Sequence, residues 1–386
     1  MIHRLQRGAV PAKPHTVFSP DGELAFEHCF TRRGFEGAYT ILYHRRPPHW
    51  VGAAEDLGPF PGDAPPEPPT ALRPRHFRAA DLAPGGAPFL GRRLLLANDA
   101  LGVYAVQADR DDETLVENAD GDELAFVEAG LGRLETPLGS LPFKMEDYVF
   151  VPRGLPHRWR LKGKTFLLLL EGRRFIDLPA RYRTEVGQLR IDAPYTHRDF
   201  GAPVWPDRGP ASLHAPRRLL VKRAGRLTAM ELPYDIFDVH GWDGQVWPFT
   251  FPIRAFQPKT GLVHLPTTTH ATFAGGGFVV CSLVPRATDF HESAISCSCP
   301  HSSPDCDELT FHVAGAAASG EAAAEGSLTL HPAGIPHGPF PGRYEASIAA
   351  HRTDELAVVV NADAPLAPTK HAAGIEDAGF NLGWKP

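Results

Sequence analysis

Two short stretches in the C-terminal third carry side chains able to bind a divalent metal. The first is His301-Ser302-Ser303-Pro304-Asp305-Cys306-Asp307-Glu308, with Gly315 seven residues beyond Glu308. The second runs Gly326, five residues, Pro332, one residue, Gly334, two residues, His337. Imidazole and carboxylate are good ligands for first-row metals. Adjacent residues of a strand face opposite ways, so only one of Asp307 and Glu308 can reach a common ion. Asp307 shares parity with Leu309, Phe311 and Val313, whereas Glu308 shares it with Thr310 and His312, the more polar face. Glu308 is the expected ligand. The same order of residues occurs earlier, more weakly. Glu123 stands seven residues before Gly130, and Pro152-Arg153-Gly154-Leu155-Pro156-His157 follows. Repetition of a whole β unit marks a duplicated architecture.

The C-terminal spacing resembles the two signatures of the cupin superfamily, H-x-H-x4-E-x6-G and G-x5-P-x-G-x2-H. The spacing also places the family's glutamate at Glu308. Ser303 stands where the second histidine is usual, which leaves His301, Glu308 and His337 as the ligand set. Two histidines and one carboxylate leave open positions on an octahedral ion, the arrangement of non-haem Fe(II) oxygenases. In the first half Val116 and Asn118 occupy the histidine positions, so Glu123 and His157 alone are too few for a metal. The resemblance implies an all-β-dominated bicupin of two jelly-roll-like barrels with Pro/Gly-rich loops and few short helices. It further implies an N-terminal region, residues 1–245, with a degenerate metal-free barrel, and a catalytic barrel with a wrapping tail over 246–386.

The elements that must position these residues read as short strands. Candidates are Tyr39–Tyr43, Leu124–Val127, Tyr148–Val151, the fully apolar Phe166–Leu170, Gly277–Val284, Leu309–Val313, Leu328–Leu330 and Leu356–Val360. The 39 prolines and 37 glycines favour strands and turns over long helices. Gly58–Pro74 is too rich in proline for any element interior. Residues 171–245 read as crossovers and loops, and Ala316–Ala324 reads as helix or hairpin loop. A chain of 386 residues is long enough for two cores. A net charge of −6 argues against a nucleic-acid footprint, and no apolar run reaches membrane-span length. No signal peptide is predicted, and an odd count of five cysteines argues against a disulfide framework. A cytoplasmic protein is expected. Cys297, Cys299 and Cys306 raise a zinc reading, which the C-x-C spacing disfavours.

Several segments together resemble the homogentisate 1,2-dioxygenase family, closest to its short bacterial branch. They are Gly34-Phe35-Glu36-Gly37, Leu42-Tyr43-His44, Val284-Pro285-Arg286, the two metal motifs ending in His337-Gly338-Pro339, and Asn361–Leu366. The resemblance implies Fe(II) held by His301, Glu308 and His337, with His331 lining the site. It implies an acid/base histidine upstream, either His264 or His270, and a homo-oligomer acting on a small aromatic acid and O2. Long-form members hold substrate with a tyrosine soon after the motif glycine, where this chain has Ala316-Ala317-Ala318. A substrate carboxylate still needs a partner, because an unpaired buried charge is costly. Arg286, Arg254 and Lys259 are the candidates. Cleavage of a related acid such as gentisate, and a non-catalytic metal-binding cupin, are the alternatives.

Overall fold

Apolar strands separated by turns pair into two seven-stranded antiparallel sheets, each forming the inner framework of one barrel. The computed structural model describes residues 2–205, 217–315, 324–339, 341–348 and 350–380. The only α-helices among the described residues are Arg343–Ala346 and Lys370–Ala373. The first sheet runs Phe249–Pro252, Asp147–Val151, Asp122–Ala129, Thr165–Gly172, Leu101–Ala108, Arg93–Ala97, Ala367–Pro368. The second runs Arg75–Phe77, Ser327–His331, Asp307–Ala314, Leu356–Ala362, Phe278–Leu283, Ala271–Gly275, Ile176–Asp177. Taken in these directions, the strand bearing Glu123 and the strand bearing Glu308 hold the same place.

The internal repeat persists in the backbone. Gly130 and Gly315 both adopt positive φ (99° and 78°), as do Gly154 and Gly334 (78° and 89°). Gly326 has φ 73°, and its counterpart Glu146 keeps φ 68° without being glycine. Left-handed backbone is uncommon for residues other than glycine, so the turn survives in both halves although its favoured residue does not.

A cut at residue 245 does not separate the sheets. Both edge strands of the first sheet, Phe249–Pro252 and Ala367–Pro368, come from the C-terminal half. Both edge strands of the second, Arg75–Phe77 and Ile176–Asp177, come from the N-terminal half. Each half thus covers the other's exposed sheet edges, which would otherwise present unpaired backbone groups. The sheets also share a core. Phe311 packs edge-on against Phe126 and Phe166, and the buried Tyr148 hydroxyl meets Ser282 Oγ at 2.9 Å.

The apolar strands lie where their sequence places them, and Thr165–Gly172 is buried at every residue. The expectation of crossovers and loops over 171–245 is corrected. Arg217–Arg223 and Arg226–Leu232 form a hairpin that pairs with Ala54–Pro59 and, in parallel, with Leu115–Asn118. Its two-residue turn, Ala224-Gly225, has φ 51° and 66°, the mirror-image geometry that suits a twisted hairpin. Ala-Gly is a weak turn signal. The Asp120 carboxylate supplies what it lacks by accepting both turn N–H groups. The Ala316–Ala324 reading lies almost wholly outside the described residues. No described helix is long and apolar enough to cross a membrane.

Candidate metal centre

Glu308 sits near the start of Asp307–Ala314, directly opposite His331 in the register with Ser327–His331. Strand parity turns Glu308 into a cavity together with Thr310 and His312. Asp307 faces away and is buried. Its two carboxylate oxygens accept the N–H groups of Ala333 and Leu366, each at 2.8 Å. Asp307 therefore ties the loop that carries His337 and anchors the returning tail.

That loop turns at Gly334, whose N–H reaches Ser303 O at 3.0 Å. It then runs back beside the first motif. His301 and His337 form an antiparallel bridge with reciprocal N–H···O bonds of 2.8 Å each. The bridge sets the two imidazoles side by side, with ring centroids 4.3 Å apart. Glu308 Oε1 lies 3.8 Å from His337 Nε2, and one ligand atom from each of His301, Glu308 and His337 falls within 4.8 Å of the others. Ser303 turns its hydroxyl to Cys306 Sγ at 3.0 Å instead of joining them.

The hydrogen bonding of the two imidazoles leaves a nitrogen of each open to a cation. His301 Nδ1 donates to Cys299 O at 2.8 Å, which leaves Nε2 as the nitrogen available to a cation. His337 Nε2 is buried with no hydrogen-bond partner. Burial lowers the His337 pKa, with His301 adding to the effect, so the ring is neutral. Burial raises the Glu308 carboxyl above its usual range, although His301 opposes it. A buried carboxylate beside a partnerless imidazole nitrogen is costly until a cation arrives. These residues fit a divalent metal.

The cavity over this cluster holds about 120 Å³, against roughly 10–15 Å³ for one water, which suits a small ligand. His264, His270, His331, Arg286 and Lys259 line it. His331 stacks on His337 with centroids 4.4 Å apart and planes 7° off parallel, and burial, then His337, lowers its pKa to about 3. His264 Nδ1 faces Asp289 Oδ2 at 3.8 Å. His270 is held instead by backbone, its Nε2 3.1 Å from Lys259 O, and burial lowers its pKa to about 4. Arg286 Nη2 lies 3.5 Å from Glu355. Arg254 is a correction. It stands outside the cavity wall and is half-exposed, with Nε and Nη2 donating to Glu146 at 2.5 and 2.8 Å. Sequence reasoning missed Asp289 and Glu355, which lie in irregular segments with no periodicity to flag them. The expectation for Ala316–Ala318 falls outside the described residues.

In the first barrel Val116 takes the place of His301 and keeps its bridge to His157, with N–H···O bonds of 2.8 and 2.9 Å. Where the ion would lie, there is a guanidinium. Arg92, 1% exposed, donates to Glu123 Oε1 at 2.5 Å and lies 3.6 Å from Glu171 Oε2. Lys222 Nζ reaches the same Glu171 oxygen at 2.6 Å, and Asn118 donates to both glutamates. Burial alone would raise the Glu123 carboxyl, but the Arg92 and His157 charges outweigh it and hold it low.

Residues 91–253 match the homogentisate 1,2-dioxygenase N-terminal family. Homogentisate 1,2-dioxygenases are among the relatives. That of Rhodopseudomonas palustris is 30% identical over 42% of this chain and 35% of its own length. That of Pseudomonas putida is 27% identical over 61% and 54%. A protein of Saccharolobus solfataricus named "Putative dioxygenase" is 33% identical over 388 residues, 100% of this chain and 99% of its own. The chain belongs to the homogentisate dioxygenase family. It is a dioxygenase, an oxidoreductase, built on two equivalent seven-stranded β-sheets. Its alignment spans between a third and just over half of the two named homogentisate enzymes. Among solved structures, a cupin 2 conserved barrel domain protein from Leptotrichia buccalis aligns at 9% identity and TM-score 0.35, covering 75% of this chain and 96% of that one. A Bacillus subtilis oxalate decarboxylase aligns at 12% and 0.32, covering 77% and 78%.

Proposed function

We propose that this homogentisate dioxygenase family member binds Fe(II) through His301, Glu308 and His337 and opens the ring of homogentisate with O2, giving maleylacetoacetate in tyrosine and phenylalanine breakdown. It works as a homo-oligomer in the cytoplasm. The observation that carries this reading is the meeting of one carboxylate and two imidazoles on the wall of a small cavity. Bound there, Fe(II) leaves sites for both substrate and O2 and lets electron density pass from ring to oxygen.

The chain's own residues supply the rest. His264 is the better placed of the two upstream histidines to take the ring-hydroxyl proton. Burial lowers its pKa while Asp289 pulls it back up, so it is neutral near pH 7 and has a carboxylate behind Nδ1 to stabilise the imidazolium. His270 Nε2 is engaged by the Lys259 backbone, facing its carbonyl oxygen at 3.1 Å and its N–H at 3.3 Å, so this ring orients the wall. Arg286 and Lys259 offer donors to the acetate carboxylate, and Arg286 keeps donors beyond those facing Glu355. Both atoms of O2 enter the product as the bond breaks between the hydroxyl-bearing and acetate-bearing carbons, so no outside reductant is needed.

Oxygen uptake with the iron-loaded enzyme tests the substrate. Gentisate, with its carboxylate one methylene closer to the ring, should turn over at least about 10-fold more slowly, because the group cannot reach the same cations. Faster turnover of gentisate would replace homogentisate as substrate and leave the iron site standing. A second expectation concerns His331. Its ring stacks on His337 but lies outside the ligand cluster, so His331→Ala should retain one iron per chain and lose about 10–100-fold in turnover. Loss of iron from this variant would make His331 a ligand.

A further inference from the structure

Sharing no lining residue with the metal cavity, a second cavity of about 770 Å³ opens in the N-terminal half. Its volume lies within the roughly 300–1,000 Å³ usual for small-molecule sites. Six arginines line it (Arg4, Arg32, Arg33, Arg153, Arg174 and Arg183), against one acid, Asp177. The concentration is local, because the whole chain carries −6.

Half of these arginines are neutralised. Arg32 donates both terminal nitrogens to the buried Asp122, at 2.5 and 2.6 Å. Arg4 pairs with Asp243, and Arg183 with Asp177 at 3.0 Å. The other three have no carboxylate partner among the described residues. Arg33 lies 5.4 Å over the Phe175 ring, Arg153 Nε donates to Ala119 O at 2.7 Å, and Arg174 makes no ion pair. Like charges gathered in one concavity repel unless an anion joins them.

The wall is also built. Asp122 accepts Arg153 N–H at 2.8 Å and Ile176 N–H at 2.7 Å besides Arg32, so one buried carboxylate fixes three sides of the opening. Arg33 is held at φ 53°, a left-handed conformation that is costly outside glycine and that concentrates at ligand clamps. Guanidinium groups bind phosphate and carboxylate oxygens in bidentate fashion, whereas a single surface cation does not discriminate.

We infer that this cavity is a binding site for a small multiply charged oxyanion, a phosphate ester or a polycarboxylate, held by Arg33, Arg153 and Arg174. A concave pocket in an acidic chain without a basic stripe favours a small ligand over a nucleic acid.

Calorimetric titration of the full-length protein tests the site, with pyrophosphate and citrate as separate probes and acetate as control. At low ionic strength one pyrophosphate or citrate should bind per chain, and acetate should not. Binding should weaken with added salt. The double variant R33S/R174S should lose at least about 10-fold in affinity. It should melt no lower than the parent without anion, since it removes two unpaired like charges. The relative response to pyrophosphate and citrate tells phosphate from polycarboxylate recognition. Absence of binding, or equal binding by parent and variant, overturns the site. So does an oligomer in which an acidic segment of a second copy fills the cavity and R33S/R174S dissociates it. Homogentisate turnover does not enter these readouts, so failure here leaves the dioxygenase reading untouched.

Discussion

Glu308→Ala should yield a folded protein that no longer retains iron and shows no measurable ring cleavage. Removing one of three ligands also removes the anion that offsets the ion's charge. The loss in metal affinity should exceed the ~10–100-fold typical of residues that merely orient ligands. Without metal, the variant should be no less stable than the parent. Glu308 is buried with its pKa already raised, so the metal-free fold gains by losing it. Asp307→Ala should behave in the opposite way. Its side chain accepts two backbone N–H groups at 2.8 Å, and each such charge-assisted bond contributes about 1.5–3 kcal/mol. The variant should melt well below the parent, since both the His337 loop and the tail lose their tie. Strand parity predicts that Asp307→Ala keeps most of its iron, and the two hydrogen bonds add an expected loss of stability. Iron per chain by elemental analysis and melting by calorimetry separate the two effects. Iron retention by Glu308→Ala at the parent's level would sink the proposed ligand set.

Arg92→Met should destabilise the protein by about 3–5 kcal/mol, the cost of breaking a buried charge pair by removing one partner. Glu171 would then keep Lys222, and both glutamates would keep Asn118, inside the first barrel. Three aromatic faces, those of Phe60, Phe89 and Tyr104, would lose a cation 4.6–5.1 Å from their centroids. Chemical denaturation measures the loss. Iron bound at the second barrel should be unchanged per folded chain, because none of the cavity-lining residues there touches this network. A variant as stable as the parent would show that the guanidinium is not what balances the two glutamates. The comparison matters for the duplicated architecture. One barrel is proposed to take its cation from solution, and the other has a cation built into the chain.

What the sequence by itself determined was local. Strand parity decided between Asp307 and Glu308, because alternation holds along any strand whatever it packs against. The positions of Gly315, Gly326 and Gly334 announced their turns, because only backbone with positive φ joins the motif that way. The cluster of His301, Glu308 and His337 was legible because the segment from His301 to His337 closes on itself through one antiparallel bridge and one pair of neighbouring strands. The tertiary structure alone decided what depends on distant partners. Arg254 is claimed by Glu146, a residue of the opposite half, and so leaves the cavity to Arg286 and Lys259. Arg92 reaches Glu123 and Glu171 from another strand edge, with no periodic signal to join them. The exchange of edge strands likewise lies beyond any local reading. A strand of two to four residues carries too little pattern to name its partner, and only the unpaired edge of the other barrel, which must be hydrogen-bonded or exposed, selects where it goes.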